Sequence, residues 1–178
     1  ANTLELFTMA DCPFGKQAEF SLLNYVRNRP LPAARPAPEL EVHYIFYRQP
    51  PVKDGDAPTF TALHGEKEIQ ETLVQIVIRD TFPWLFYDYL LERAAKDAPW
   101  PEIAKQAGIT DADIELIRTR IASERDELIQ AEYDYATRRH AILDNSPTYV
   151  WEGRVVPDIR QLPAFKGLEF SSPATCRS

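Results

Sequence analysis

The stretch LEVHYIFY (40–47) constrains this chain more than any other. It is almost continuously apolar or aromatic and rich in residues that favour extended backbone. It therefore reads as a buried strand of the kind found in parallel sheets. A shorter strand precedes it, Thr3 to Thr8, with Leu4 and Leu6 on one face. Between the two, KQAEFSLLNYVRN (16–28) reads as a helix, with Ala18, Leu22, Tyr25 and Val26 near one face. Pro13 suits its first turn, where the missing N–H costs nothing. RPLPAARPAPE (29–39) stops the helix and reads as a stiff, extended connector. The chain thus opens as β-α-β.

A loop follows (48–65), long enough to be packed or functional rather than a simple connection. Helical text then takes over. Ile69, Leu73, Ile76 and Val77 space a helix over 66–80, and Thr81 reads as the cap of a second over 81–96, with Pro83 in its first turn. A short helix over 100–108 ends in Gly108. Thr110, with an acid three residues on, opens a long one that runs to about Leu143. Its stripe is Ile114, Ile117, Ile121, Leu128 and Ile129, and Arg138, Arg139 and His140 suit its C-terminal end. Strand text returns at PTYVW (147–151) and RVVP (154–157), flanking Glu152-Gly153 as a hairpin turn, and 158–167 reads as a final helix.

The 178 residues suit one domain, or one domain with an insertion. A net charge of −7 argues against non-specific nucleic-acid binding, which needs clustered Lys and Arg. No apolar run reaches the roughly 18 residues of a membrane span. No signal-peptide pattern precedes Ala1, which would itself suit the first residue of a processed chain; a periplasmic or secreted setting is favoured over a cytoplasmic one.

Two cysteines, Cys12 and Cys176, exclude a disulfide scaffold but allow one bridge. Cys12 lies in MADCPFGKQAEF (9–20), where a strand turns into a helix. Helix N–H groups and the dipole stabilise a thiolate there and lower its pKa below about 8.5. Pro13 and Phe14 stiffen the turn and shield the sulfur. Cys176 has two readings, a tail thiol without a partner or a thiol that folds back to Cys12. Of the histidines, His43 reads as a hydrogen-bonded core residue, His140 as a helix-end residue, and His64 as the one nearest the site. No pair shows metal-ligand spacing, so no structural metal is expected, apart from a weak thiophilic option at Met9 and Cys12.

Strand, C-P-F-x, helix, then a distant S-P-T before a hairpin and last helix, resembles the thioredoxin superfamily. The helical block between the halves resembles the disulfide-oxidoreductase A branch, and MADCPFGKQAE with TALHGEKEIQE (61–71) resembles a bacterial group carrying M-x-x-C-P-[FY]-G. The resemblance implies an α/β thioredoxin-like fold, built from 1–65 and 144–178 with the helices of 66–143 inserted. It implies that Cys12 is the attacking cysteine, that Pro147 is a cis-proline facing it, and that the Ser146 backbone pairs with an extended substrate. Pro13 and Phe14 join Ser146 and Pro147 as substrate-binding residues. Gly15 departs from the pattern, because it stands where a resolving cysteine is expected.

Three functions follow. The first is an atypical monothiol oxidoreductase or thiol transferase acting on a thiol or disulfide of a protein or peptide. An external thiol such as glutathione would resolve its mixed disulfide, with Cys176 as a possible resolving partner. The second is a glutathione-dependent transferase or isomerase. The third is a non-catalytic module that binds a peptide or partner protein through the groove around Pro147. On the first reading the protein alone is a poor disulfide reductase, Gly15→Cys raises its activity, and Cys176→Ser matters little.

Overall fold

The computed structural model describes residues 2–28, 38–140, 143–169 and 174–177. Its main sheet has four strands in the order β2-β1-β5-β6: β1 (Thr3–Thr8), β2 (Glu39–Tyr44), β5 (Thr148–Trp151) and β6 (Arg154–Val156). β1 and β2 are parallel, with Leu4 opposite Leu40 and Leu6 opposite Val42. β1–β5 and β5–β6 are antiparallel, so the sheet is mixed and LEVHYIFY and PTYVW both flank β1. β2 is shorter and less buried than its composition suggests. Leu40, Val42 and Tyr44 face the core, whereas Glu39 and Glu41 are exposed, which is the alternation of an edge strand covered on one face. Ile45 and Phe46 leave the sheet but stay buried.

Helix α1 (Pro13–Asn28) begins at its proline and buries Ala18, Leu22 and Leu23. The next four are α2 (Glu66–Thr81), α3 (Pro83–Ala95), α4 (Trp100–Gln106) and α5 (Asp111–Arg139). Thr110 caps α5 by accepting from the Asp113 N–H at 3.2 Å. Thr81 is not the cap of α3: it ends α2, Phe82 precedes α3, and the Thr81 hydroxyl accepts from Arg120 at 2.7 Å instead. One apolar core joins Leu4, Leu6 and Val42 of the sheet to Leu22 of α1, Leu73 and Ile76 of α2, Phe86 of α3 and Ile117 of α5.

Two other expectations are corrected. The 48–65 loop has its own two-stranded sheet, β3 (Tyr47–Gln49) against β4 (Thr59–Thr61). The final helix is two single turns of 3-10 helix, Ile159–Gln161 and Pro163–Phe165. Pro163 disfavours helical backbone at the residue before it, and Leu162 is extended. The Glu152-Gly153 turn has positive φ at both positions, 50° and 80°, as a tight hairpin requires. The proline connector lies mostly outside the described residues, as do residues 141–142 beyond α5. Among the described residues, no helix is long and apolar enough to cross a membrane.

Candidate functional site

The C-terminal end of β1 delivers Thr8 and Met9 into a turn closed by the Cys12 N–H donating to the Met9 carbonyl at 3.0 Å. Cys12 then stands immediately before α1, in the position of an N-cap. Its sulfur lies 3.4 Å from the Gly15 nitrogen, whose N–H points at it. That is the place where a Ser or Asp oxygen usually accepts from the third helical N–H. The local sequence explains the geometry, since Pro13 needs no N–H partner at the first helical position.

The turn is held from three sides. Ser146, fully buried, accepts from the Met9 N–H through Oγ at 2.8 Å and lies 3.2 Å from Thr8 Oγ1. Glu68 of α2, 1% exposed, accepts from the Asp11 N–H at 2.8 Å. Arg93 of α3 donates to the Ala10 carbonyl and to Asp11 Oδ1, both at 2.7 Å. His64 reaches the site only indirectly, with Nδ1 2.6 Å from the Glu68 carboxylate. The helical block therefore fixes the backbone just before Cys12. Glu68 and Arg93 were not singled out from the sequence. Their sole sequence trace is a carboxylate and a guanidinium within otherwise apolar helical spacing.

Ser146–Pro147 is a cis peptide. The Ser146 carbonyl oxygen is 3.5 Å from Cys12 Sγ, so the expected pairing of the cysteine with this turn is present. Phe14 packs into the apolar cluster around Cys12, Phe7, Met9 and Ile45. With Pro147, Thr148 and Tyr149 it also lines a cleft of about 700 Å³ whose lining includes Ala174, Thr175 and Arg177. Pro13 is exposed and is not among the lining residues.

The reading of Cys176 as an unpartnered thiol is corrected. Cys12 and Cys176 form a disulfide across 164 residues, with their Cα atoms 6.1 Å apart, inside the usual range for such a bridge. The backbone around Cys176 is also paired. Its N–H donates to the Ser146 carbonyl and its carbonyl accepts from the Ser146 N–H, each at 2.8 Å, as one antiparallel bridge. The 174–177 segment thus occupies the backbone edge beside the cis-proline that the resemblance assigns to an extended substrate. With it in place Cys12 is fully buried, and Cys176 is partly accessible.

Gly15 also changes meaning. A Cβ there would overlap Thr8 Oγ1 and lie 2.9 Å from Ser146 Oγ. The glycine serves the close approach of α1 to the Thr8 and Ser146 hydroxyls, and a cysteine in its place would force Thr8 to shift. The expectation that Gly15→Cys restores an active pair is therefore withdrawn.

Beneath the turn lies a charged interface. Arg93 Nε is 3.4 Å from Glu71 Oε1, and Glu71 accepts from Tyr89 at 3.0 Å. Glu19 of α1, 3% exposed, is pushed up to about 7 by burial, against the opposing pull of Arg93. On the other face of the sheet, His43 is hydrogen-bonded as expected, with Nδ1 3.2 Å from Glu132 of α5. Burial pushes Glu132 upward, but hydrogen bonds from His43 and Arg79 outweigh it and bring its carboxyl down to about 2. Among the described residues, Glu5, Glu41 and His43 are a group whose ligand atoms are close enough to hold a cation. Compared with known proteins, the chain matches no family model and no curated protein.

Proposed function

We propose that this chain is a thioredoxin-like thiol–disulfide oxidoreductase in which Cys12 attacks and Cys176 supplies the second thiol. The observation that carries the reading is the Cys12–Cys176 disulfide, held at the start of α1 and beside the cis Ser146–Pro147 bond. Support for the frame comes from the strand order β2-β1-β5-β6 with one parallel pair, and from helices α2–α5 between the two halves of the sheet. The two turns of 3-10 helix depart from the last helix such a frame would have.

The chemistry balances as two exchanges. In the reduced protein, the Cys12 thiolate attacks one sulfur of a substrate disulfide. A Cys12–substrate bond forms, and the other substrate sulfur leaves as a thiolate. The Cys176 thiolate then attacks Cys12 Sγ, which forms the observed bridge and releases the second substrate thiolate. The substrate gains two electrons and the pair loses two. To return, an external thiol such as glutathione attacks the accessible Cys176 sulfur and expels Cys12 as a thiolate. A second thiol then frees Cys176 as the external disulfide leaves. Cys12 suits the leaving role, because a thiolate facing the N–H groups of α1 is stabilised. The substrate class is a disulfide-bearing protein or peptide, with an external thiol as the reductant that the cycle consumes.

The test is the alkylation rate of each thiol of the reduced protein as a function of pH, read by mass spectrometry. Once reduction frees the 174–177 segment from Cys12, Cys12 is expected to react faster than Cys176 at neutral pH, with a midpoint below about 8.5. Equal rates for the two cysteines, matching an unstructured thiol, rule the proposal out.

A further inference from the structure

A cluster of titratable side chains on β1 and β2 is not used by the redox chemistry. Glu5 on β1 and Glu41 on β2 are register partners, so their carboxylates leave the sheet on the same side. His43 lies two residues beyond Glu41 and shares that face. His43 Nε2 is 3.3 Å from Glu41 Oε2 and 3.7 Å from Glu5 Oε2. All three atoms lie within 4.8 Å of one another.

The opposite ring nitrogen is already committed. His43 Nδ1 faces Glu132 Oε1, and Glu132 is held by two bonds from Arg79, 2.9 and 2.8 Å long. Tyr135 stacks on the imidazole with ring centres 4.2 Å apart, and its hydroxyl donates to Glu5. A carboxylate on one ring nitrogen fixes the proton there and turns the lone pair of the other outward, which is the second-shell arrangement behind metal-ligating histidines. Nε2 then faces the carboxylates of Glu41 and Glu5.

The spacing decides which cations fit. Ligands about 2.0–2.2 Å from a tetrahedral ion are about 3.4 Å from one another, and the two His43 distances, 3.3 and 3.7 Å, bracket that value. One imidazole with two carboxylates suits borderline ions rather than magnesium or calcium, which prefer an all-oxygen set. We propose that Glu5, Glu41 and His43 form a binding site for a divalent transition-metal ion, zinc being the best match, with water completing the coordination. Glu41 is the outermost ligand, its side chain 48% exposed, so the ion would enter from solvent past it.

The experiment is a titration of the oxidised protein with zinc chloride by calorimetry, with long-range proton–nitrogen NMR of the histidine rings. Keeping Cys12 and Cys176 bridged removes the thiolates that would otherwise compete for zinc. One equivalent is expected to bind and to shift His43 Nε2 more than Nδ1. Glu41→Gln, at an exposed position that leaves the core intact, is expected to weaken binding at least about tenfold; Glu5→Gln is expected to do the same. An absence of saturable binding overturns the proposal. Binding that is unchanged in both variants, or that shifts only His64 or His140, overturns it equally.

Discussion

Gly15 is the residue on which the site turns, and its lack of a side chain is the reason. α1 approaches the end of β1 and the 146–147 turn so closely that a Cβ would overlap Thr8 Oγ1. Thr8 and Ser146 are both fully buried, and Ser146 Oγ is already engaged with the Met9 N–H, so neither can move away without losing a partner. Gly15→Ala is therefore expected to destabilise the fold by about 1–3 kcal/mol, the usual range for overpacking. At this chain length that is a fall of roughly 3–10 °C in Tm, measured by calorimetry. Thr8→Ala in the same chain is expected to recover part of the loss, because it removes the overlapping oxygen. A Gly15→Ala protein that melts with the wild type contradicts this packing. In a bare sequence, the absence of a resolving cysteine and the absence of a Cβ are the same letter. Only the distance to Thr8 tells them apart.

At the level of elements, α1, α2 and α3 meet over buried charge. Glu19, Glu71 and Asp11 surround Arg93, which also donates to the Ala10 carbonyl. Burial raises Glu19 from 4.5 to about 7, so between those values the unfolded chain releases a proton that the folded chain keeps. Stability contributed by this group is therefore fully present below about pH 4.5 and declines as pH rises to about 7. Glu19→Gln removes the decline. At about pH 8 the variant is expected to exceed the wild type by up to about 3 kcal/mol in urea unfolding, and at about pH 4 to match it. A stability gap independent of pH would contradict the assignment. Glu132 has the opposite sign: its lowered carboxyl, near 2, supports the fold above 4.5, and that support is lost as pH falls through about 2.

The same elements show what was legible in advance. β1 was readable because Leu4 and Leu6 alternate, and the start of α5 because Thr110 and Asp113 form a local cap. The β3–β4 hairpin was not, because its three-residue strands are polar or half-exposed and separated by a loop rich in Pro, Asp and Gly. The apolar spacing of 158–167 suggests one helix, but Pro163 breaks it. Glu68 and Arg93 reach the Cys12 turn from 57 and 82 residues away, a distance over which local pattern says nothing. Glu41-x-His43 has strand spacing rather than the helical spacing by which metal motifs are usually recognised, and its partner Glu5 comes from another strand.

For the whole molecule, the account rests on one long-range closure. Cys176 returns across 164 residues to bond Cys12, and it does so while pairing with Ser146, the residue before the cis-proline. The pairing gives the second thiol a fixed approach to Cys12 Sγ. In the proposed reaction it takes the place of the neighbouring cysteine absent at Gly15, and an intramolecular thiol so placed outcompetes a thiol in solution. On this proposal Cys176→Ser is expected to matter, where the sequence alone suggests little effect. The most direct measurement is to treat reduced wild-type and Cys176→Ser proteins with oxidised glutathione or a disulfide-bonded peptide, quench with acid, and weigh the products intact. The wild type is expected to show the internal Cys12–Cys176 bridge with little adduct, and to turn over in a coupled insulin-reduction assay. Cys176→Ser is expected to accumulate one adduct on Cys12 and to lose most of that turnover, with Cys12→Ser inactive. Equal turnover with and without Cys176, and no adduct on Cys12 in the variant, would contradict the account.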